Sequence, residues 1–289
     1  MVGSTIHQAS IRPSIVSMTT TTPEYSLRRA PEEYERLRAQ ARVWEAATGR
    51  LLDRIGLAAG ARCLDAGCGP GETMRLMALR VGPAARVTGI DVDAALAADT
   101  EHMLHAAGHR QCRVIAHDLT AYESVPGGPY DLVFARLLLF HLPERVAVLR
   151  RLWQAVAPGG HLLVQDYDLE TVGVLPPSAA LDEAGRLIFD TFGAMGCDVR
   201  AGATLPTLFA QAGVGEPDGT DVAGRLEPYG TGRHMVSSVV RSLLPATLAR
   251  GVATAAQVEA ALADLEADAT RHPDRPMTWP LMMGAWKRK

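Results

Sequence analysis

The run Leu64-Asp65-Ala66-Gly67-Cys68-Gly69-Pro70-Gly71, answered downstream by Gly89-Ile90-Asp91, constrains this chain more than any other feature. Glycine at 67, 69 and 71 lets the backbone turn sharply and pass close to a ligand, which a Cβ at those positions would hinder. The unit reads as strand, glycine turn, helix and second strand. That order closes as a parallel βαβ unit, with helices covering the faces of a parallel sheet. The dinucleotide fingerprint Gly-x-Gly-x-x-Gly is excluded, because counting from Gly67 and Gly69 its third glycine would stand at Glu72. Asp65, at the end of the first strand, does not suit a diphosphate; it suits a ligand that brings an ammonium to the loop.

The chain has 289 residues, of which 47% are hydrophobic, enough for one α/β core with an attached cap. Its formal net charge of -3 leaves no basic surplus, which argues against nucleic acid as a partner. No apolar run is long enough to span a bilayer, so no membrane insertion is expected. The start has no charged segment followed by an apolar one, and a cytoplasmic location is the expectation. Cys63, Cys68, Cys112 and Cys197 lack zinc-ribbon and Cys-x-x-Cys spacing and read as small, reduced, buried side chains.

Residues 1–23 are rich in Ser, Thr and Pro and read as a flexible leader, within which Met18 could be the start. Residues 24–60 form an N-terminal helical lid, because Tyr34, Leu37, Ala41, Trp44, Thr48, Leu51 and Ile55 recur on one helical face. Over 61–170, strands at 62–66, 86–91, 112–116, 130–135 and 161–166 alternate with helices at 72–81, 94–107 and 144–156. The fold class is therefore α/β, a Rossmann-like doubly wound, mostly parallel seven-stranded sheet with a helical substrate-binding cap. Residues 171–275 supply that cap with some late core elements, in helices near 178–195, 204–212, 232–249 and 254–270. Residues 276–289 are a terminal strand, which Pro280 places in an irregular or edge position.

The glycine loop, Asp91, Asp118 and the breaker Pro158-Gly159-Gly160, in that order, resemble the class I S-adenosylmethionine-dependent methyltransferases over residues 62–166. The resemblance implies S-adenosylmethionine as cofactor and a small-molecule substrate. By it, Asp65, Gly67 and Gly69 hold the methionine part, Asp91 accepts from the ribose hydroxyls and Val92 packs on adenine. Asp118, in Ala116-His117-Asp118-Leu119, takes the adenine amino group, with Leu119 beside it. Arg136 stands between cofactor and substrate, and Tyr25 and Gln40 belong to a helix that closes over the cofactor. Other readings stay open: a helix cap for Asp118, a surface ion pair for Arg136, and a pocket-edge histidine rather than a base for His141.

The acceptor is read from residues farther along. Gln165-Asp166-Tyr167-Asp168-Leu169-Glu170 leaves the fifth strand beside the expected methyl-transfer point and carries three carboxylates. Glu170 is the candidate catalytic base, followed by apolar Val172 to Pro177 that would keep it unhydrated; the alternative is a solvated loop glutamate. Tyr229-Gly230-Thr231-Gly232-Arg233-His234 forms a candidate anion cradle, or else a polar turn that caps a helix. Leu205, Leu208, Phe209 and Ala210 would set the depth of an apolar chamber, or else pack in the core. Asp166 and Asp168 could help hold Mg2+ accompanying a diphosphate. Glu170 and the 229–234 cluster resemble the isoprenyl diphosphate C-methyltransferases. That resemblance implies methylation of an alkene carbon of geranyl or farnesyl diphosphate, with Glu170 removing a proton from the resulting carbocation, and places His141 and Tyr167 against the substrate. O- or N-methylation of another small natural product is the alternative. A protein that uses bound S-adenosylmethionine without methylating is a further one, and a homo-oligomer is compatible with all of them.

Overall fold

The computed structural model describes residues 31–289, with side chains from Leu37 onward. The expected leader and Tyr25 lie outside the described residues. Two helices open the described chain, α1 (Pro31–Val43) and α2 (Glu45–Arg54), where the periodicity predicts one. The break falls at Trp44, whose backbone leaves helical geometry (φ -98°, ψ 6°) while its indole is buried with Tyr167, Trp279 and Met282.

The core then runs β1 (Arg62–Ala66), α3 (Glu72–Val81), β2 (Arg86–Asp91), α4 (Ala94–Ala106), β3 (Cys112–Ala116), β4 (Tyr130–Arg136), α5 (Arg145–Gln154) and β5 (Val156–Asp168). After it come β6 (Gly173–Val174), α6 (Ala179–Ala194), α7 (Leu205–Gln211), β7 (Gly219–Ala223), β8 (Leu226–Pro228), α8 (Tyr229–Ala249), α9 (Ala255–Arg271), β9 (Pro276–Thr278) and β10 (Leu281–Arg288). Among the described residues the main sheet has seven strands in the order β3-β2-β1-β4-β5-β10-β7. Pairings from β3 through β5 are parallel, and β10 is antiparallel to both its neighbours.

Burial on both faces explains why the central strands are apolar almost throughout. Leu64, Val133, Ala135 and Leu162 pack on one side with Leu149 and Leu152 of α5 and Leu205 and Phe209 of α7. The alternate residues Cys63, Leu132, Phe134 and Leu163 pack on the other with Leu52 of α2 and Leu76 and Met77 of α3. A second core joins α6, α8 and α9 over a small sheet of order β6-β9-β8. Ser178, which caps α6, meets Tyr229 at the start of α8 (3.2 Å), and Thr191 meets Thr247 near its end (3.0 Å), so α6 and α8 run parallel. Among the described residues no helix is long and apolar enough to cross a membrane.

The C-terminal strand departs from expectation. Pro280 falls at a break between β9 and β10, and β10 lies inside the sheet, where β5 and β7 flank it and β7 is the edge. Proline lacks the N–H that a ladder needs, but here it sits one residue before the strand starts. Strand β5 runs two residues past Asp166, because Tyr167 and Asp168 pair with Met282 and Leu281 of β10. The tip of β5 beside the site is thus held by the last strand of the chain.

Candidate active site

The strand order reverses between β1 and β4, and a crevice opens there at the carboxyl ends of the strands. It is a cavity of about 660 Å³ lined by the glycine loop, the ends of β1, β2, β4 and β5, and helices α1, α6 and α8. Its cofactor half follows from the loop. Gly67 (φ +70°), Gly69 (φ +49°) and Gly71 (φ +78°) all hold left-handed backbone, and a Cβ on Gly67 would stand 2.9 Å from Leu138 Cδ1. The amides of Gly67 and Cys68 donate to Ile90 O (2.8 and 2.9 Å), which fixes the loop to β2.

Asp65 is 2% exposed yet lines the cavity. Its Oδ2 is buried and accepts no hydrogen bond among the described residues. Burial pushes its pKa up to about 7, and the nearby Arg136 guanidinium only partly offsets this. Burial in turn pulls Arg136 down, with Asp65 and Tyr167 opposing. Arg136 donates to Thr48 Oγ1 (3.0 Å), which donates to Gln165 Oε1 (2.7 Å), so the guanidinium is anchored from behind. A buried carboxylate oxygen without a partner, next to an anchored arginine, fits an amino-acid zwitterion, its ammonium on Asp65 and its carboxylate on Arg136. The methionine part of S-adenosylmethionine is such a group.

The nucleoside end fits as well. Asp91 Oδ2 accepts from the Gly69 amide (2.9 Å) and Oδ1 from the Asp93 amide (3.0 Å), which orients the carboxylate with lone pairs left for hydroxyls. Burial raises its pKa against those donors. Val92 and Leu119 line the same end as apolar surfaces. Asp118 does cap its own turn, with Oδ1 accepting from the amide and hydroxyl of Thr120 (2.8 and 2.7 Å). Burial works to raise its pKa, but the Thr120 donors outweigh it and hold the carboxyl low. Gln40 lines the cavity and donates through Nε2 to Tyr167 Oη (3.1 Å), and Trp44 Nε1 donates to the same oxygen (2.5 Å). The N-terminal helices are thereby tied to the tip of β5.

The acceptor half is an apolar chamber. Leu181, Ile188 and Phe192 of α6, Val236 of α8, and Phe140 from the turn between β4 and α5 form much of its wall. His141 lines it too, its ring 3.6 Å from that of Phe140. Tyr167 and Glu170 enter the lining from the end of β5 and the turn after it. Glu170 is not the dry carboxylate that the sequence suggests: its side chain is 50% exposed and pairs with Arg200 at 3.4 Å.

Several expected residues are elsewhere. Tyr229, Arg233, His234, Phe209 and Ala210 do not line the cavity. Helix α8 begins at Tyr229, so Gly230 and Gly232 are helical. They are small because Pro273 and Met277 crowd them, not because a ligand approaches. Arg233 forms a two-pronged pair with Glu266 (2.7 and 2.6 Å), Tyr229 is buried against Ser178, and His234 is exposed. Phe209 is buried in the core of the sheet, and Ala210 lies on the exposed side of α7. Asp166 and Asp168 are not turned toward a shared cation. Asp166 accepts from the amides of Phe140 and Tyr167 (3.1 and 3.0 Å), Asp168 from that of Glu170 (3.2 Å), and no metal-binding group of three side chains occurs among the described residues. Burial pushes Asp166 up to about 7 despite those donors. Sequence reasoning missed Thr48, Arg250 and the α6 wall; of these only the wall had a signal, the helical spacing of residues 181, 188 and 192.

Residues 63–160 match the family model described as a methyltransferase domain. Trans-aconitate 2-methyltransferase of Paracidovorax citrulli is 39% identical over 115 residues, covering 40% of this chain and 42% of that protein. The 27-O-demethylrifamycin SV methyltransferase of Amycolatopsis mediterranei is 33% identical over 153 residues, covering 48% and 50%. The chain thus spans two fifths to half the length of the curated relatives it matches. Among solved structures, one described as a methyltransferase from Bacillus halodurans superposes with a TM-score of 0.57 at 13% identity, over 84% of this chain and 99% of that one. At that identity the likeness is one of fold alone.

Proposed function

We propose that this chain, whose residues 63–160 form a class I S-adenosylmethionine-dependent methyltransferase domain, transfers a methyl group to a small amphiphilic acceptor, and that this acceptor is an isoprenyl diphosphate methylated at an alkene carbon. The observation that carries the donor is the buried, unpartnered carboxylate oxygen of Asp65, a residue that lines the cavity beside Arg136. For the acceptor, support comes from a chamber continuous with the cofactor half, walled by Leu181, Ile188, Phe192 and Val236, with Glu170 in its lining. The bound cofactor supplies a methyl group activated by a positively charged sulfur. Asp65, Arg136, Asp91 and Asp118 would hold it in the cofactor half of the same cavity, and alignment with the acceptor would provide much of the rate. The alkene pair of electrons would form the new carbon–carbon bond as the bond from that methyl to sulfur breaks, its electron pair staying on sulfur in the departing S-adenosylhomocysteine, and a cation would be left on the neighbouring carbon. Glu170 removes a proton beside that carbon, restoring a double bond, while the apolar wall keeps water away. The half-exposed Glu170 loses part of its water when the acceptor enters.

O-methylation is a second reading, favoured by His141 in the chamber, which could take a hydroxyl proton. One assay separates them. The protein is incubated with S-adenosylmethionine and, in parallel, geranyl diphosphate, farnesyl diphosphate, farnesol and trans-aconitate, and products are read by mass. A gain of one methylene on a diphosphate with its chain carbon altered supports the proposal, and release of S-adenosylhomocysteine with methyl on oxygen alone overturns it. Mg2+ dependence is read from the same reaction after chelation.

A further inference from the structure

Among the described residues three arginines line the cavity, and two of them are committed. Arg136 belongs to the cofactor half, and Arg186 is clamped by Glu183 (2.8 and 2.6 Å) and Asp190 (2.7 Å). Arg250 is different: it lines the cavity, is exposed, and its side chain makes no hydrogen bond or ion pair among the described residues. Its position follows from the parallel packing of α6 and α8. Asp182 stands in the first turn of α6, whereas Arg250 caps the end of α8, three residues past the Thr247 that touches Thr191. At 1.5 Å per residue, the two lie on the order of 15 Å apart along the helices. Between them the chamber is apolar, with Ile188, Phe189 and Phe192 on one helix and Val236 and Val239 on the other. Among the acids of that rim, Asp190 is already neutralised by Arg186, and Asp182 is at the opposite end.

We infer that Arg250 is the anion anchor of the acceptor chamber, holding the phosphate or carboxylate end of an amphiphile whose apolar part lies along α6 and α8. This deepens the proposed function and rests on it in one respect, that the acceptor carries a negative group. Guanidinium suits the task because its planar fork meets two oxygens at once. A cation at the end of α8 also complements the helix dipole, so the test keeps that charge in one variant. Farnesyl diphosphate, farnesyl monophosphate, farnesoate and farnesol are titrated calorimetrically into the full chain saturated with S-adenosylhomocysteine, for the parent, Arg250→Gln and Arg250→Lys. Loss of one charge-assisted contact should weaken the anionic ligands about 10- to 100-fold in Arg250→Gln and less in Arg250→Lys, with farnesol and S-adenosylhomocysteine unchanged. Equal affinity of parent and Arg250→Gln for every anion overturns the inference and leaves the diphosphate reading standing. Arg250-dependent binding of farnesoate but no binding of either phosphate overturns the diphosphate reading and upholds the anchor. If the parent binds none of the anions, both fall.

Discussion

Replacing Asp65 by Asn tests the central electrostatic claim, that burial resists ionisation of this carboxyl until a ligand's ammonium compensates its charge. Burial raises this carboxyl from 3.8 to about 7. An unfolded chain ionises it near its ordinary value, so the folded state binds the extra proton. Its contribution to stability is therefore fully present below pH 4 and is lost as pH rises toward 7. Three pKa units correspond to about 4 kcal/mol, of which the part between pH 5 and 7 is on the order of 3 kcal/mol. The amide of the variant does not titrate. The attraction between Arg136 and the ionised Asp65 is already contained in that raised pKa, so it adds no separate slope. Urea denaturation of the apoprotein at pH 5, 6, 7 and 8 should show the variant gaining on the parent by about that amount up to pH 7, then levelling. Calorimetry should show the parent binding S-adenosylhomocysteine tenfold more weakly for each pH unit below 7, and the variant weaker throughout with no such slope. A stability difference that does not change with pH would refute the reasoning, since it would mean that Asp65 ionises in the fold as it does in water.

Other perturbations probe the remaining parts of the site. Glu170→Gln should leave S-adenosylhomocysteine affinity unchanged and slow turnover by about 100-fold or more, as measured by single-turnover kinetics; parent-like turnover removes Glu170 from the chemistry. Thr48→Val leaves the Arg136 N–H and the Gln165 carbonyl without their shared partner, and should cost about 1–3 kcal/mol in denaturation together with cofactor affinity. Gly67→Ala places a Cβ 2.9 Å from Leu138 Cδ1 at a positive φ; calorimetry should show cofactor binding abolished or strongly weakened, and a parent-like affinity would mean that the loop tolerates the shift. Arg233→Ala should leave acceptor affinity unchanged, because that arginine is spent on Glu266 outside the cavity.

The cofactor half was legible because its chemistry is local: glycines with positive φ, and acids at the ends of strands whose apolar runs announce them. Asp65 and Asp91 stand where the pattern puts them. The acceptor half depends on how distant helices are laid side by side, and no spacing in the chain encodes that. Gly230 and Gly232 looked like a ligand turn, but glycine is demanded there by Pro273 and Met277 pressing on a helix, a contact between remote segments. Arg250 gave no signal for the converse reason, since only the parallel seating of α6 and α8 brings the end of α8 to the chamber. Pro280 does stand at an irregular break, but its place in the sequence does not tell that the strand after it lies inside the sheet rather than at the edge. Strand β7 escaped notice as a short edge strand containing Gly219 and Asp221, with exposure alternating along it.

The seating of β10 between β5 and β7 sets an order of assembly. The glycine loop and the ends of β1 and β2 are neighbours along the chain, whereas the anchor of Arg136 runs through Thr48 to Gln165 of β5. The tip of β5, with Tyr167 and the turn to Glu170, is completed only when the last strand returns from far along the sequence and docks, a closure that is entropically slow. A molecule without that docked strand would keep the glycine loop and lack a finished acceptor chamber. An intact glycine loop therefore certifies only half of this fold, and protection of the β5 and β10 amides from hydrogen exchange is the measure of the other half.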